Sequence, residues 1–228
     1  MTDLFAPPIQ PRLSIVGRTE LFPIHRIFCV GRNYAAHAAE MGHDIVREAP
    51  FYFTKSHHAV ETGLALPYAP GTDSYHFEFE FAIALGEPGH RVSQEAAPGL
   101  IFGYLCALDM TRRDLQSAAK KKSLPWDTAK DVEGSCALSA ITPSEAFTPS
   151  DQSITLRQDG EIRQSAQLSD MIWSVPEIIA HLSTLYHLRP GDIILTGTPA
   201  GVGPVLPGQE LLGEITGLAP LKVTVNDA

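Results

Sequence analysis

Cations are scarce in this chain: 17 Lys and Arg stand against 26 Asp and Glu in 228 residues, a formal net charge of −9. That balance argues against a polyanion partner, because nucleic-acid binding relies on clustered positive charge. The one basic run, Lys120-Lys121-Lys122 after Arg112-Arg113, spreads around a helix and reads as a solvated face that needs no ligand. Cysteine is scarce as well. Cys29, Cys106 and Cys136 form an odd set without close spacing, which argues against a disulfide framework or a zinc site. Cys29 and Cys106 lie in the apolar strings "IFCVG" and "YLCAL" and read as small buried hydrophobes. Long apolar runs are missing too. The longest mostly apolar stretch, "GLIFGYLCAL", is too short to span a bilayer, and "MTDLFAPPIQPRLSIVG" holds no signal-type segment. The expectation is a reduced, cytoplasmic, soluble protein.

What is present is enough apolar content, 44%, for a substantial core without staples. Residues 1–25 are proline-rich and irregular and read as an arm or cap, with one domain from 26 to 228. "RIFCVG" and "APFYFTK" read as strands, and "NYAAHAAEMG" between them as a short helix, with Asn33 able to cap it and Gly42 able to end it. "HFEFEFAIALG" reads as one strand, and "GLIFGYLCALDM" as another ending in Asp109. "TRRDLQSAAKKK" reads as a helix with Thr111 and Asp114 in capping-box spacing. "SITLRQDGEIRQSA" is a hairpin around Asp159-Gly160. "SVPEIIAHLSTLY" is an amphipathic helix with Ser174 and Glu177 in capping arrangement, and "RPGDIILTGT" and "LKVTVND" supply further strands. Strands outnumber helices, so the fold class is α+β and β-rich, not doubly wound.

The chemistry concentrates in "HFEFEF". On a strand, Phe77, Phe79 and Phe81 share one face, and Glu78 and Glu80 the other with His76 and Ala82. Adjacent carboxylates repel, so one takes a proton unless a cation lies between them. Two readings stand: a solvated strand face, or a metal site. The run that follows, "AIALG", is apolar on both parities and carries the strand into the interior. Asp109 reads as a helix cap or as a third acid completing an all-oxygen set for Mg²⁺ or Mn²⁺.

His37 and Glu40, three apart, read either as a structural pair or as an oriented general base. Lys130, between Asp127 and Asp131, reads as a surface ion pair or as a cation for a developing oxyanion. "TGTPAGVGP" lacks the lysine and the helix of a P-loop. Its Thr196 and Thr198 could offer hydroxyls to a carboxylate. His57 and His58 have no partner spacing and read as surface residues.

Taken in order, "VGRNYAAHAAEMG", "FEFEFAIALG", "GYLCALDMTRRDLQ", "LPWDTAKD" and "LTGTPAGVGPVLPGQ" resemble the fumarylacetoacetate hydrolase superfamily, in its small acylpyruvase-like branch. The resemblance runs from about residue 24 to the C-terminus. Within the branch, "EMGHD", "SDMIWSVPEIIAHLS" and "PWDTAK" look most like fumarylpyruvate hydrolases of gentisate degradation. The resemblance implies a mixed-sheet β-roll, a homodimer and Mg²⁺ or Mn²⁺. It implies metal carboxylates at Glu78, Glu80 and Asp109, a water-activating pair at His37 and Glu40, and a catalytic Lys130. Arg32, Gln116 and Thr198 match positions at the oxo-acid end of the substrate, and Lys55 is a further pocket residue. The implied reaction is hydrolysis of the carbon–carbon bond of a 2,4-dioxo acid. A decarboxylase or isomerase on the same site, or a non-catalytic oxo-acid-binding protein, are the rivals. Four positions depart from the usual pattern. Phe77 stands where an acid or histidine often precedes the first glutamate, Ser56 stands for proline, Ser123 for glycine, and Asp131 for a small residue beside Lys130.

Overall fold

The computed structural model describes residues 3–6, 8–36 and 49–227. The chain opens with β1 (Arg12–Ser14) and β2 (Leu21–Pro23), then β3 (Arg26–Gly31), β4 (Phe51–Lys55), β5 (Val60–Glu61) and β6 (Ala65–Pro67). Next come β7 (Tyr75–Phe77), β8 (Phe79–Leu85), β9 (Ile101–Asp109) and β10 (Thr111–Arg112). Two helices follow, α1 (Arg113–Lys121) and α2 (Asp127–Lys130), then β11 (Cys136–Leu138), β12 (Thr142–Pro143) and the hairpin β13 (Ser153–Gln158) and β14 (Glu161–Gln167). Helix α3 (Val175–Leu185) leads to β15 (Asp192–Leu195), β16 (Gly203–Pro204), β17 (Glu210–Ile215) and β18 (Leu221–Asn226).

A mixed eight-stranded sheet runs β4-β3-β15-β8-β9-β11-β5, with β12 also pairing on β9. A five-stranded sheet, β14-β13-β17-β18-β6, lies across the main core from it, and a small sheet joins β10, β7 and β16. The β-rich α+β expectation holds.

The faces of β8 and β9 explain the layering. Phe79, Phe81, Ile83 and Leu85 alternate into the main core with Tyr104, Cys106 and Leu108. Ala82, Ala84, Leu105 and Ala107 line the opposite face. Both faces are buried, so the strand is apolar on both parities. The alanines leave room for a second core. The segment expected to be irregular pairs β1 with β2 and sends Leu13, Ile15, Phe22 and Ile24 into it. Burying each such side chain contributes about 1.5–3 kcal/mol. All three cysteines are free and buried, and burial was expected of Cys29 and Cys106.

Local signals fared unevenly. Asp159 (φ 50°) and Gly160 (φ 85°) are both left-handed, as a two-residue hairpin turn demands. Ser174 and Glu177 form the expected capping box on α3. Thr111 and Asp114 do not form one: the Thr111 hydroxyl donates to the Asp109 carbonyl, and Asp114 accepts from the Thr72 hydroxyl at 2.6 Å. Asn33 is a cross-chain clamp, bonded to Trp173 O, Trp173 N and Thr196 O. The expected helix over 33–42 lies largely outside the described residues, as do His37, Glu40 and Gly42.

"HFEFEF" is two strands. β7 belongs to the small sheet and β8 to the large one, with Glu78 at the break. The Glu78 carbonyl accepts the Asp109 N–H at 2.8 Å, so the end of β9 is tied to that break.

Candidate active site

Glu80 lies on the alanine face of β8 and Asp109 at the end of β9, with Glu78 beside them. One carboxylate oxygen from each falls within 4.8 Å of the others, and all three side chains are buried. The solvated-face reading is thereby excluded. This is an all-oxygen, anionic donor set of the kind a hard divalent cation takes.

Three cations neutralise part of it. Lys130, expected on one reading to be a surface residue, is 2% exposed and sets Nζ 2.7 Å from Glu78 Oε2 and 2.6 Å from Asp109 Oδ2. Burial opposes its charge, but Asp109 and Glu78 outweigh that and hold its ammonium above the ordinary range. Lys55 Nζ lies 2.9 Å from Asp109 Oδ1 and donates to Lys130 O and to Ser135 Oγ. It sits behind Asp109 and does not line the cavity. Arg113 Nη2 reaches Glu78 Oε1 at 2.5 Å while Nη1 donates to Gln116 Oε1 at 2.6 Å.

Glu80 is the exception. Among the described residues it has no ion pair, and it accepts the Gly197 N–H at 2.6 Å. Burial, then Asp109 and Glu78, push its carboxyl well above the usual range. This is the carboxylate that most lacks a positive neighbour, and a bound divalent cation would supply one.

Backbone geometry holds the far wall. Gly197 is left-handed (φ 97°), and a Cβ there would meet Asn33 Cβ at 2.8 Å. Only glycine lets this loop turn its N–H onto Glu80. The Thr196 and Thr198 hydroxyls donate to Phe81 O and Phe79 O, so their protons already stitch the loop to β8. Neither is a free donor for a carboxylate, although Thr198 lines the cavity. Gln164 completes the seam. Fully buried, its Oε1 accepts Phe79 N, and its Nε2 donates to Thr198 Oγ1 and Pro199 O.

The cavity, about 40 Å³, is lined by the three acids, Lys130, Arg113, Gln116, Arg32 and Thr198, together with Lys120, Phe51, Phe53 and Trp126. Arg113 and Lys120 were not expected here. Their signal was present, since 113, 116 and 120 fall at i, i+3 and i+7 of α1 and share a face. Gln164 had no such signal. Asp131, feared as a partner for Lys130, instead accepts from Ser56 N and Ser56 Oγ. His57 and His58 are exposed, as expected.

A β-roll with a buried carboxylate triad and an embedded lysine defines a class of divalent-metal enzyme site. The comparisons give the family. Residues 26–226 match the family Fumarylacetoacetate (FAA) hydrolase C-terminal, and the chain belongs to it. It is similar to a fumarylpyruvate hydrolase of a Ralstonia species, 48% identical over 182 residues, covering 79% of this chain and 95% of that one. It is also similar to a mitochondrial oxaloacetate tautomerase of Homo sapiens, 40% identical over 200 residues, covering 87% and 90%. Among solved structures it resembles fumarylpyruvate hydrolase from Pseudomonas aeruginosa in complex with Mn²⁺ and pyruvate. That likeness has a TM-score of 0.96 at 42% identity and covers all of both chains. Among the described residues, no helix is long and apolar enough to cross a membrane.

Proposed function

We propose that this chain is a metal-dependent hydrolase that cleaves the carbon–carbon bond of a 2,4-dioxo acid, with fumarylpyruvate as substrate and fumarate and pyruvate as products. The observation that carries the reading is the convergence of Glu78, Glu80 and Asp109, with Lys130 embedded between two of them. The similarity to two fumarylpyruvate hydrolases supports the choice of substrate.

Glu78, Glu80 and Asp109 would hold Mg²⁺ or Mn²⁺, which supplies Lewis-acid polarisation of the bound oxo acid. Arg113 stands against Glu78 with Gln116 bonded to it, and the two would present donors to the oxo-acid end. Two of the three Lys130 N–H groups face carboxylates. The third is left to stabilise negative charge developing on the attacked carbonyl oxygen. The family resemblance implies that His37, paired with Glu40, would take the proton from the attacking water. A homodimer follows the family's habit, and exposed Leu64, Ile162 and Leu206 offer apolar surface for it. The free buried thiols suit a reducing cytoplasm.

The test is a panel of fumarylpyruvate, acetylpyruvate and oxaloacetate with and without Mg²⁺ or Mn²⁺. Metal-dependent release of pyruvate from fumarylpyruvate is expected. Turnover of oxaloacetate alone would replace this reading with the reaction of the tautomerase or decarboxylase relatives, and tight oxo-acid binding without turnover would make the chain a binding protein.

A further inference from the structure

The cations of the site fall into two groups. Lys55, Lys130 and Arg113 each pair with a carboxylate of the triad. Arg32 and Lys120 do not: among the described residues neither has an acidic partner. Each instead lies over an aromatic ring, the Arg32 guanidinium 5.4 Å from the centre of Phe51 and Lys120 Nζ 5.5 Å from that of Trp126. The two rings meet edge to face at 5.2 Å, so one aromatic frame holds both charges.

The frame has a definite place. Arg32, Phe51 and Trp126 form a wall common to the triad's cavity and a larger one of about 640 Å³. It is also built to keep its position. A Cβ at Gly31 would meet the Phe51 ring at 2.0 Å, so the glycine lets that ring lie flat on the backbone, and Arg32 follows it in the left-handed region (φ 60°). Burial and the charge of Arg32 both act against the ammonium of Lys120. Glu78 offsets this only in part, and among the described residues neither Arg32 nor Lys120 has an ion-pair partner, so an anion between them would be favoured.

We propose that Arg32 and Lys120 form a receptor for a second, distal carboxylate, so that the site selects dioxo acids carrying an acid group at the end remote from the metal. This rests on the dioxo-acid reading above and adds to it the feature that separates fumarylpyruvate from acetylpyruvate. The oxo-acid end, where the family resemblance places Arg32, would be served instead by Arg113, Gln116 and the metal and is common to both substrates, while Arg32 stands on the aromatic frame. Only fumarylpyruvate has a carboxylate to place between the two outer cations.

The experiment compares the metal-loaded wild type with Lys120→Gln, Arg32→Gln and Lys120→Arg on both substrates. For Lys120→Gln, kcat/KM on fumarylpyruvate should fall about 10–100-fold, chiefly through KM, with acetylpyruvate changed by less than about threefold, and Arg32→Gln should cost fumarylpyruvate at least about tenfold more than acetylpyruvate. Lys120→Arg should recover most of the loss. Equal losses on both substrates, or no loss on fumarylpyruvate, overturn the proposal. If the wild type cleaves neither acid, the dioxo-acid reading fails, and the receptor is judged by calorimetry with fumarate and crotonate. These share a skeleton and differ by one carboxylate. Tighter binding of fumarate that disappears in Lys120→Gln upholds the receptor, and equal binding of the two rejects it.

Discussion

Asp131 and Ser56 satisfy one another: the Ser56 N–H and hydroxyl both donate to Asp131 Oδ1 at 2.9 Å, across 75 residues of sequence. A carboxylate adjacent in sequence to the buried Lys130 is thus directed away from its ammonium. Asp131→Ala should therefore cost about 1 kcal/mol of stability and leave kcat within about threefold. A tenfold fall in kcat, or a displaced pH–rate profile, would show that Asp131 does act on the lysine.

Glu80 gives the sharpest metal test. Its carboxyl is pushed up by burial and by Asp109 and Glu78, so a neutral amide of the same shape should sit there without strain. Glu80→Gln is expected to melt no lower than wild type in chelator. It should also lose the stabilisation that added Mg²⁺ or Mn²⁺ gives, and lower turnover by about three orders of magnitude. Full activity of this variant in chelator would refute the metal-dependent scheme.

His76 carries a pH signature. Burial, then the charge of Arg113, lower its pKa to about 4, and its Nδ1 is buried without a partner. The folded value lies below the unfolded one, so neutral His76 favours the fold above about pH 6.5, and this advantage fades as pH falls toward 4. Between those limits the wild type should lose melting temperature more steeply than His76→Asn. The difference between the two curves, at constant metal and salt, is the measurement. Parallel curves would contradict the assignment.

Gln164 holds the seam between β8, β14 and the 196–199 loop through three hydrogen bonds. Leucine fills similar volume but leaves Phe79 N and Pro199 O unpaired. Gln164→Leu should cost about 2–4 kcal/mol in urea denaturation. It should also weaken metal binding in calorimetry, because Phe79 stands between Glu78 and Glu80. Unaltered metal affinity alongside the stability loss would limit Gln164 to a structural part.

Much of this was legible in the sequence. Strand parity put Glu78 and Glu80 opposite three phenylalanines, and that parity survives the break between β7 and β8 because both strands keep their phenylalanines in one core. The break itself was hidden, since sheet membership depends on partners such as Gly203 and Arg112 far along the chain. Ser123, noted as standing for a glycine, proves to be left-handed (φ 52°), which gives the usual glycine its reason. Ser56 and Asp131 were each visible as departures, but nothing local indicated that they answer one another. Lys130 could not be recognised as buried, because Asp127 and Thr128 of the same short helix are exposed and its carboxylates come from distant segments, Glu78 at the break between β7 and β8 and Asp109 at the end of β9. Arg113 and Lys120 were lost in a basic run read as a whole, when only one face of the helix turns inward.

Strands β8 and β9, which bring Glu80 and Asp109, lie in the middle of the large sheet, with hydrogen-bonded neighbours on both sides. Amides there exchange with solvent only when the whole domain opens. Deuterium should therefore enter at residues 80–84 and 105–108 no faster than at the most protected positions of the molecule. The acids are fixed equipment, and any motion that admits or releases a ligand has to come from the walls around them.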